Sequence, residues 1–390
     1  MLRATKIRIY PTPEQAEFLN RQFGAVRFVY NKSLAIISHQ YSKHSKSLSA
    51  KKDMKKLLPI AKKSRRYSWM KDFDSIALQQ SCINLDVAFS RFFNKSLPNK
   101  YPKFKRKHGP QSSYHCTSIH VGDNWIKIPK IKPIKARVHR ALEGKLKSIS
   151  LSRTSSGKYF ASLLFDNGTE ASPLVTINSN LVIGVDMGLT HIAITSAGQK
   201  TDNPRFTKRA ALNLRRKQKS LSRKQKGSRN RAKARVLVAK CHEKVANTRN
   251  EFQHDLSNKL LNKNHGVAIE TLKVKNMLKN RKLSKAICDA SWSSLISKLE
   301  YKAKERGKCL VKIDQWFASS KTCHCCGHKV KKLDLKVRVW TCSSCNAFHD
   351  RDINAAINIK KQGLMKLKAE GLSVSANGGL RKTSEKLAAA

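Results

Sequence analysis

Two pairs of cysteines constrain this chain more tightly than any other feature of its sequence. Cys323-x-x-Cys326 and Cys342-x-x-Cys345 are separated by 15 residues. A Cys-x-x-Cys turn presents two sulfurs from one backbone loop, and Zn²⁺ favours four thiolates at the corners of a tetrahedron. The spacing therefore predicts a zinc ribbon. Gly327 follows the first pair and Asn346 the second, and both residue types tolerate the left-handed backbone such a turn needs. The segment VRVW at 337–340 reads as the strand entering the second turn. Four thiolates close the coordination shell, so the expected role is structural rather than catalytic. Cys325, His324, His328 and His349 are further donors close by, so the ligand set can be permuted among them. Cys82, Cys116, Cys241, Cys288 and Cys309 stand singly, the usage of a reducing compartment rather than of a disulfide framework.

Charge narrows the partners. The chain has 80 Lys and Arg against 25 Asp and Glu, a formal net charge of +55. Such an excess repels itself in a compact state unless a polyanion binds, and nucleic acid gains most because each neutralised phosphate releases a counterion. Between Asp202 and Glu243 no carboxylate occurs, and residues 205–235 carry 14 Lys or Arg. A solvated helical hairpin is one reading of that stretch; its single sign of charge favours a phosphate-facing surface. No apolar run approaches the ~20 residues of a membrane span. The opening MLRATKIRIYPTPEQ has no apolar signal region, and the expected location is the cytoplasm of a prokaryote.

The length of 390 residues suits two or three domains. Residues 3–10 alternate as a strand and stop at Pro11 and Pro13. QAEFLNRQFGAVRFVYNKSLAII and DSIALQQSCINLDVAFSRFF repeat apolar residues at helical spacing. From 114 to about 170 the pattern turns to short strands. A helical insert over about 15–112 therefore interrupts a β-rich module. NLVIGVDMGLTHIAITSAG reads as a buried strand and its hairpin partner, and HGVAIETL and KCLVKID as further strands. Val238, Val245, Phe252, Leu256 and Leu260 mark the apolar face of a long helix. DASWSSLISKLEYKAKERG reads as an amphipathic helix, and DINAAINIKKQG as a last helix closed by Gly363. The tail beyond 368 has no periodic pattern.

The few acids stand in telling places. Asp186 ends the apolar strand LVIGV, Glu270 ends GVAI, and Asp352 opens the last helix. Functional groups in α/β layers gather at the carboxyl ends of adjacent parallel strands, and a helix can cross that edge. Acids beside a nucleic-acid surface repel the substrate unless metal covers them, and Mg²⁺ takes carboxylate oxygen. Each also has a plainer reading: a turn cap for Asp186, a surface strand end for Glu270, a helix cap for Asp352. Asp350 competes with Asp352 for the metal role, or orients Arg351.

The stretches KIRIYPTPEQ, RFVYNKSL, YPKFKRK, GVDMGL, AIETL, SSKTCHCCG and TCSSCNAFHDRDINAAINI together resemble the TnpB family, transposon-encoded RNA-guided nucleases related to type V CRISPR effectors. The resemblance runs from residue 3 to about 360. It implies a multidomain α+β chain: an RNase H-like RuvC nuclease with an inserted zinc ribbon, beside a β-barrel wedge module interrupted by a helical recognition module. The implied boundaries are wedge 1–14 and 113–175, recognition 15–112, nuclease 176–318 and 350–368, zinc ribbon 319–349 and an unstructured tail 369–390. The implied catalytic triad is Asp186, Glu270 and Asp352 holding two Mg²⁺, with structural Zn²⁺ on Cys323, Cys326, Cys342 and Cys345. The implied partners are a guide RNA from the transposon end, one per protein, and double-stranded target DNA beside a short adjacent motif. On the helix DSIALQQ, Gln79 can face adenine with both amide groups, and Ser75 lies one turn earlier; a core-facing or solvent role fits either residue as well. The implied activity is double-strand DNA cleavage by two-metal phosphodiester hydrolysis. A nuclease-inactive, RNA-guided DNA-binding repressor is the alternative, and such a protein would be expected to lose acids of the triad. TCSSCNAF departs from the family, which often has Cys-Gly there.

Overall fold

The computed structural model describes residues 2–107, 111–168, 177–334 and 336–370. The expected tail beyond Glu370, and the end of the second wedge segment from 169, lie outside them. The chain divides into two compact units, Met1–Glu170 and Ala171–Ala390, and its helix and sheet content is mixed.

In the first unit, β1 (Leu2–Tyr10) leads directly into α1 (Pro13–His44). Thr12 and Gln15 form a reciprocal capping box, and Pro13 occupies a helix-start position where its missing N–H costs nothing. The helices α2 (Lys55–Lys63) and α3 (Ser75–Phe93) follow, the latter capped by Asp74, which accepts from the Ile76 N–H at 2.9 Å. The strands β2 (Gln111–Cys116), β3 (His120–Val121), β4 (Trp125–Lys127), β5 (Ile134–Arg137), β6 (Lys145–Thr154) and β7 (Tyr159–Asp166) complete the unit. They form a seven-stranded sheet in the order β2-β6-β7-β1-β5-β4-β3. The strand that precedes the helices thus lies inside a sheet built from strands that follow them: Leu2 pairs with Asp166, and Ile9 with both Tyr159 and Ala136. Ile7 and Ile9 are fully buried on one face of β1, as its two-residue alternation requires.

The second unit is built on a five-stranded sheet. It comprises β8 (Val182–Asp186), β9 (His191–Thr195), β10 (Lys200–Asp202), β11 (Gly266–Glu270) and β12 (Cys309–Ile313), in the order β10-β9-β8-β11-β12. β9 and β10 meander antiparallel, while β8, β11 and β12 are parallel. Parallel neighbours need long crossovers. α4 (Phe206–Ser222) and α5 (Arg229–Lys263) supply the first, and α6 (Val274–Met277), α7 (Ser284–Ala290) and α8 (Trp292–Glu305) the second. A small pair, β13 (Val339–Thr341) and β14 (Phe348–Asp350), precedes α9 (Arg351–Ala369).

The two faces of this sheet are covered by different helices. Val185, Val267 and Ile269 pack with Leu256 and Leu260 of α5 and Trp292, Leu295 and Leu299 of α8. Val182, Ala268, Val311 and Ile313 pack with Ile359 and Leu367 of α9. α9 does not end at Gly363, as the sequence suggested; it runs two turns further, to Ala369. Gly363 is buried mid-helix because the backbone comes down onto β11 there: a Cβ on it would lie 2.5 Å from the Ala268 Cβ. Gly184 of β8 makes the matching approach, where an added Cβ would lie 2.0 Å from the Ala356 carbonyl oxygen.

Candidate functional site

Strand periodicity decides where two of the acids face. Gly184 and Ala268 are neighbours in the parallel register and both touch α9. Side chains two residues on share the same face, so Asp186 and Glu270, the last residues of β8 and β11, both look toward the α9 side at the carboxyl edge. α9 brings the third. From Ala356, over Gly184, back to Asp352 the helix covers about 6 Å; from Gly184 to Asp186 the strand covers about 7 Å. The start of α9 therefore lies above the strand ends.

The electrostatics agree with this placement. The Asp186 pKa is pushed up to about 7, first by burial, then by the negative charges of Glu270 and Asp352; the Met187 N–H and Arg351 oppose the rise. A buried carboxylate whose ionisation two neighbouring carboxylates oppose is part of a donor set that a hard divalent cation fits. Among the described residues, the clusters whose ligand atoms all lie within 4.8 Å of one another consist of cysteines and histidine; the carboxylates are spaced more widely. Asp352 pairs with the Arg338 guanidinium at 3.3 Å, and Glu270 accepts from the buried Ser319 hydroxyl.

Asp350 has a different task. Its Oδ1 accepts from the N–H groups of Asp352 and Ile353, both at 3.0 Å, and caps α9. Its Oδ2 takes the Lys200 ammonium at 2.6 Å. Burial works to raise its pKa, but Lys200 and the capped amides together hold it below the ordinary value. It does not orient Arg351, whose guanidinium reaches the Asp334 carbonyl at 2.6 Å instead.

The four paired cysteines converge. Their sulfurs lie within 4.8 Å of one another, and Cys323–Cys345 and Cys326–Cys342 are each 3.6 Å apart. A tetrahedron with Zn–S bonds of ~2.3 Å has edges of about 3.8 Å, so the cluster can hold one metal ion. Gly327 (φ 79°) and Asn346 (φ 55°) adopt the left-handed backbone expected after each pair. His349 lies at 3.0 Å from the Cys323 sulfur, and Cys323, Cys325 and His349 form a second possible donor set. His328 instead meets the Ser343 hydroxyl, and His324 the Asn354 amide oxygen.

Ser75 and Gln79 lie in the other unit. Ser75 is the first residue of α3 and accepts from the Lys62 ammonium at 2.7 Å. Gln79 is half-buried one turn on.

With this geometry in view, comparison with known proteins is informative. Residues 169–281 match a family model described as "Probable transposase", and residues 292–359 one described as "Cas12f1-like, TNB domain". A Streptomyces pristinaespiralis protein named as a candidate RNA-guided DNA endonuclease is 41% identical over 367 residues, 93% of this chain and 89% of the relative. The chain belongs to the TnpB family. An Escherichia coli K12 relative, InsQ, also named as a candidate RNA-guided DNA endonuclease, is 29% identical over 381 residues, 93% of this chain and 92% of its own. The fold of this TnpB-family chain resembles that of Cas12f1 as seen in a cryo-EM complex with sgRNA and target DNA: TM-score 0.55, 15% identity, 90% of this chain and 83% of that one. Residues 1–46 match a model described as "Helix-turn-helix domain", yet here they fold as one strand and one unbroken helix.

Sequence reading of this TnpB-family chain missed what joins the thiol cluster to the acids. Asn354 and Asn358 of α9, both buried, donate to the Thr322 carbonyl at 2.8 and 2.6 Å, and Asn358 also to the Ser319 carbonyl at 2.9 Å. Ser319 in turn donates to Glu270. The signal was present: two asparagines four residues apart within an apolar helix face.

Proposed function

We propose that this chain is an RNA-guided DNA endonuclease of a transposable element. It would use Asp186, Glu270 and Asp352 of a RuvC-like fold to cut double-stranded DNA beside a short adjacent motif. The observation that carries the reading is the gathering of these three acids at one sheet edge of a chain with a net charge of +55. The relatives' names support it. Bound there, two Mg²⁺ would supply Lewis-acid stabilisation of the phosphate and a nucleophilic water at neutral pH. Asp186, on which the charges of both other acids act, would be one of the carboxylates that hold them. Arg338 neutralises Asp352 in the absence of substrate, and Ser319 fixes the orientation of Glu270. Zn²⁺ on Cys323, Cys326, Cys342 and Cys345 would hold the 319–349 ribbon in register with the start of α9. The basic hairpin α4–α5 suits a guide RNA backbone. Ser75 and Gln79 are proposed to read the adjacent motif from α3, with the Lys62 contact released on binding. The inactive-repressor alternative is disfavoured because all three acids are present.

The test begins with protein expressed beside its flanking element DNA and purified in high salt. Sequencing of the bound RNA should return one discrete species ending in a segment from beyond the element. With that RNA, Asp186→Ala should lower cleavage of a matched duplex by about a thousandfold or more while keeping RNA and target binding. Retained cleavage would overturn the assignment of the triad, and a heterogeneous RNA population would overturn the guided reading.

A further inference from the structure

Trp316 is the most exposed large hydrophobic side chain among the described residues, at 81%. It does not sit on a remote surface. The loop that carries it begins at Ile313, the register partner of Glu270 in the parallel β11–β12 pair. It returns at Ser319, whose hydroxyl donates to Glu270. Trp316 is three residues from each, so its Cα lies within about 11 Å of either anchor, whatever path the loop takes. Asp314 caps the turn by accepting from the Trp316 N–H at 2.7 Å. Phe317, the next residue, packs into the core beneath α9. On the neighbouring strand end, the Thr271 hydroxyl donates to the Ile313 carbonyl at 2.6 Å. Two residues further, the Lys273 ammonium lies 5.9 Å from the Trp316 ring centroid.

An indole held out in water at such a place, on a loop anchored at both ends, has a cost that burial does not offset. A base is the natural occupant, because every base has a flat face that stacks on an aromatic ring without regard to sequence, while an adjacent lysine takes the phosphate. We propose that Trp316 is a substrate-positioning residue: it stacks on one unpaired base of the DNA strand being cut, with Lys273 on an adjoining phosphate, and so sets which phosphodiester lies against Glu270. The proposal rests on the nuclease reading of Asp186, Glu270 and Asp352. The loop's two contacts with Glu270 single out the cut strand rather than the guide RNA. A stacking residue also answers a need of the chemistry. Acids grip no base, and a strand held only by its charges can slide.

The experiment uses the protein in complex with its co-purified RNA, and a matched DNA target in which a single abasic nucleotide is moved stepwise along the cut strand. Trp316→Ala is expected to slow cleavage of intact DNA about 10-fold. One abasic position is expected to slow the wild type by a similar factor and to have no further effect on Trp316→Ala. Trp316→Tyr should restore most of the rate and Trp316→Leu should not. A second readout needs no cleavage. In an Asp186→Asn background without added metal, a 20-nucleotide single-stranded DNA should quench the indole emission that Trp316→Phe removes. Equal slowing at the abasic position in wild type and Trp316→Ala would overturn the proposal, as would quenching already complete with RNA alone. These outcomes are separable from failure of the nuclease reading, which shows instead as cleavage by Asp186→Ala.

Discussion

Asp186 is where the competing demands on this fold meet in a single residue. Burial and two neighbouring carboxylates oppose its ionisation and raise its pKa to about 7 from an ordinary value of 3.8. The folded chain therefore binds this proton more tightly than the unfolded one. The associated stability is fully present below about pH 4, is lost as pH rises toward 7, and changes no further above it. Without added Mg²⁺, Asp186→Asn should remove that slope and stabilise the protein at pH 8 by on the order of 1–3 kcal/mol. Urea unfolding at pH 5 and pH 8 measures it, and an unchanged slope would place the charge elsewhere. Added Mg²⁺ should stabilise the wild type more at pH 8 than at pH 6, because the cation and the proton compete. The position of Asp186 at a strand end was legible in the sequence. So was the expectation that Glu270, ending another strand, and Asp352, opening the last helix, would join it; the division of labour between Asp350 and Asp352 was not. Both acids lie within one turn of the helix start, and only the capping bonds to Asp352 and Ile353 separate the cap from the acid facing Asp186.

At the scale of elements, α9 decides how the second unit is assembled. Apolar periodicity identified the helix, but Gly363 read as its end because glycine marks both helix ends and close packing. Its contact with Ala268 lies 95 residues away in sequence and leaves no local trace. The two uses predict opposite signs for a Gly→Ala change. In an open helical position Ala is better by about 0.5–1 kcal/mol. Gly24 of α1 is such a position, since a Cβ there meets nothing nearer than the Arg27 guanidinium at 3.8 Å. Gly24→Ala should raise the thermal midpoint. Gly363→Ala and Gly184→Ala should lower it, through a loss of about 1–3 kcal/mol or more of stability, with the larger loss at Gly184, where the obstacle is backbone rather than a methyl group. Differential scanning of the three variants checks this, and a stabilising Gly184→Ala would mean that α9 does not lie on β8. Asn358 gives a second test of the same element. Asn358→Ala removes a buried donor from the Ser319 and Thr322 carbonyls, at a cost of about 1–3 kcal/mol. Hydrogen exchange should quicken around residues 319–323 before it does in β8 or β11. Uniform quickening would indicate global destabilisation instead of a lost local clamp.

For the whole molecule the sequence revealed composition better than connectivity. The excess of base, the thiol spacing and the alternation of the strands are local and survive in a linear reading. That β1 belongs with strands beyond the helices follows from reading residues 15–112 as an insert, but its partners and register, Leu2 with Asp166 among them, do not, because strand partners are chosen by burial of a shared face and not by proximity in the chain. Charge, by contrast, acts at a distance and can be tested at a distance. α4 has no buried residue among its 17, and Arg209, Arg215, Arg216 and Lys219 all stand exposed on it. If α4 lies along an RNA backbone, each of these bases displaces counterions when it binds. For single strands, log K falls with log salt by about 0.7 per phosphate neutralised. Replacing the four with glutamine should therefore reduce the slope of RNA affinity against salt by about 3, with little change in folding stability, because no packed contact is lost. Filter binding of the co-purified RNA between 0.1 and 0.5 M salt gives the slope. A parallel fall in affinity at every salt concentration, with the slope unchanged, would mean that the four bases act through the protein's shape. An unchanged affinity and slope would make the hairpin a solvated face, and the RNA path would then have to be sought on other surfaces of a chain whose remaining charge is still strongly positive.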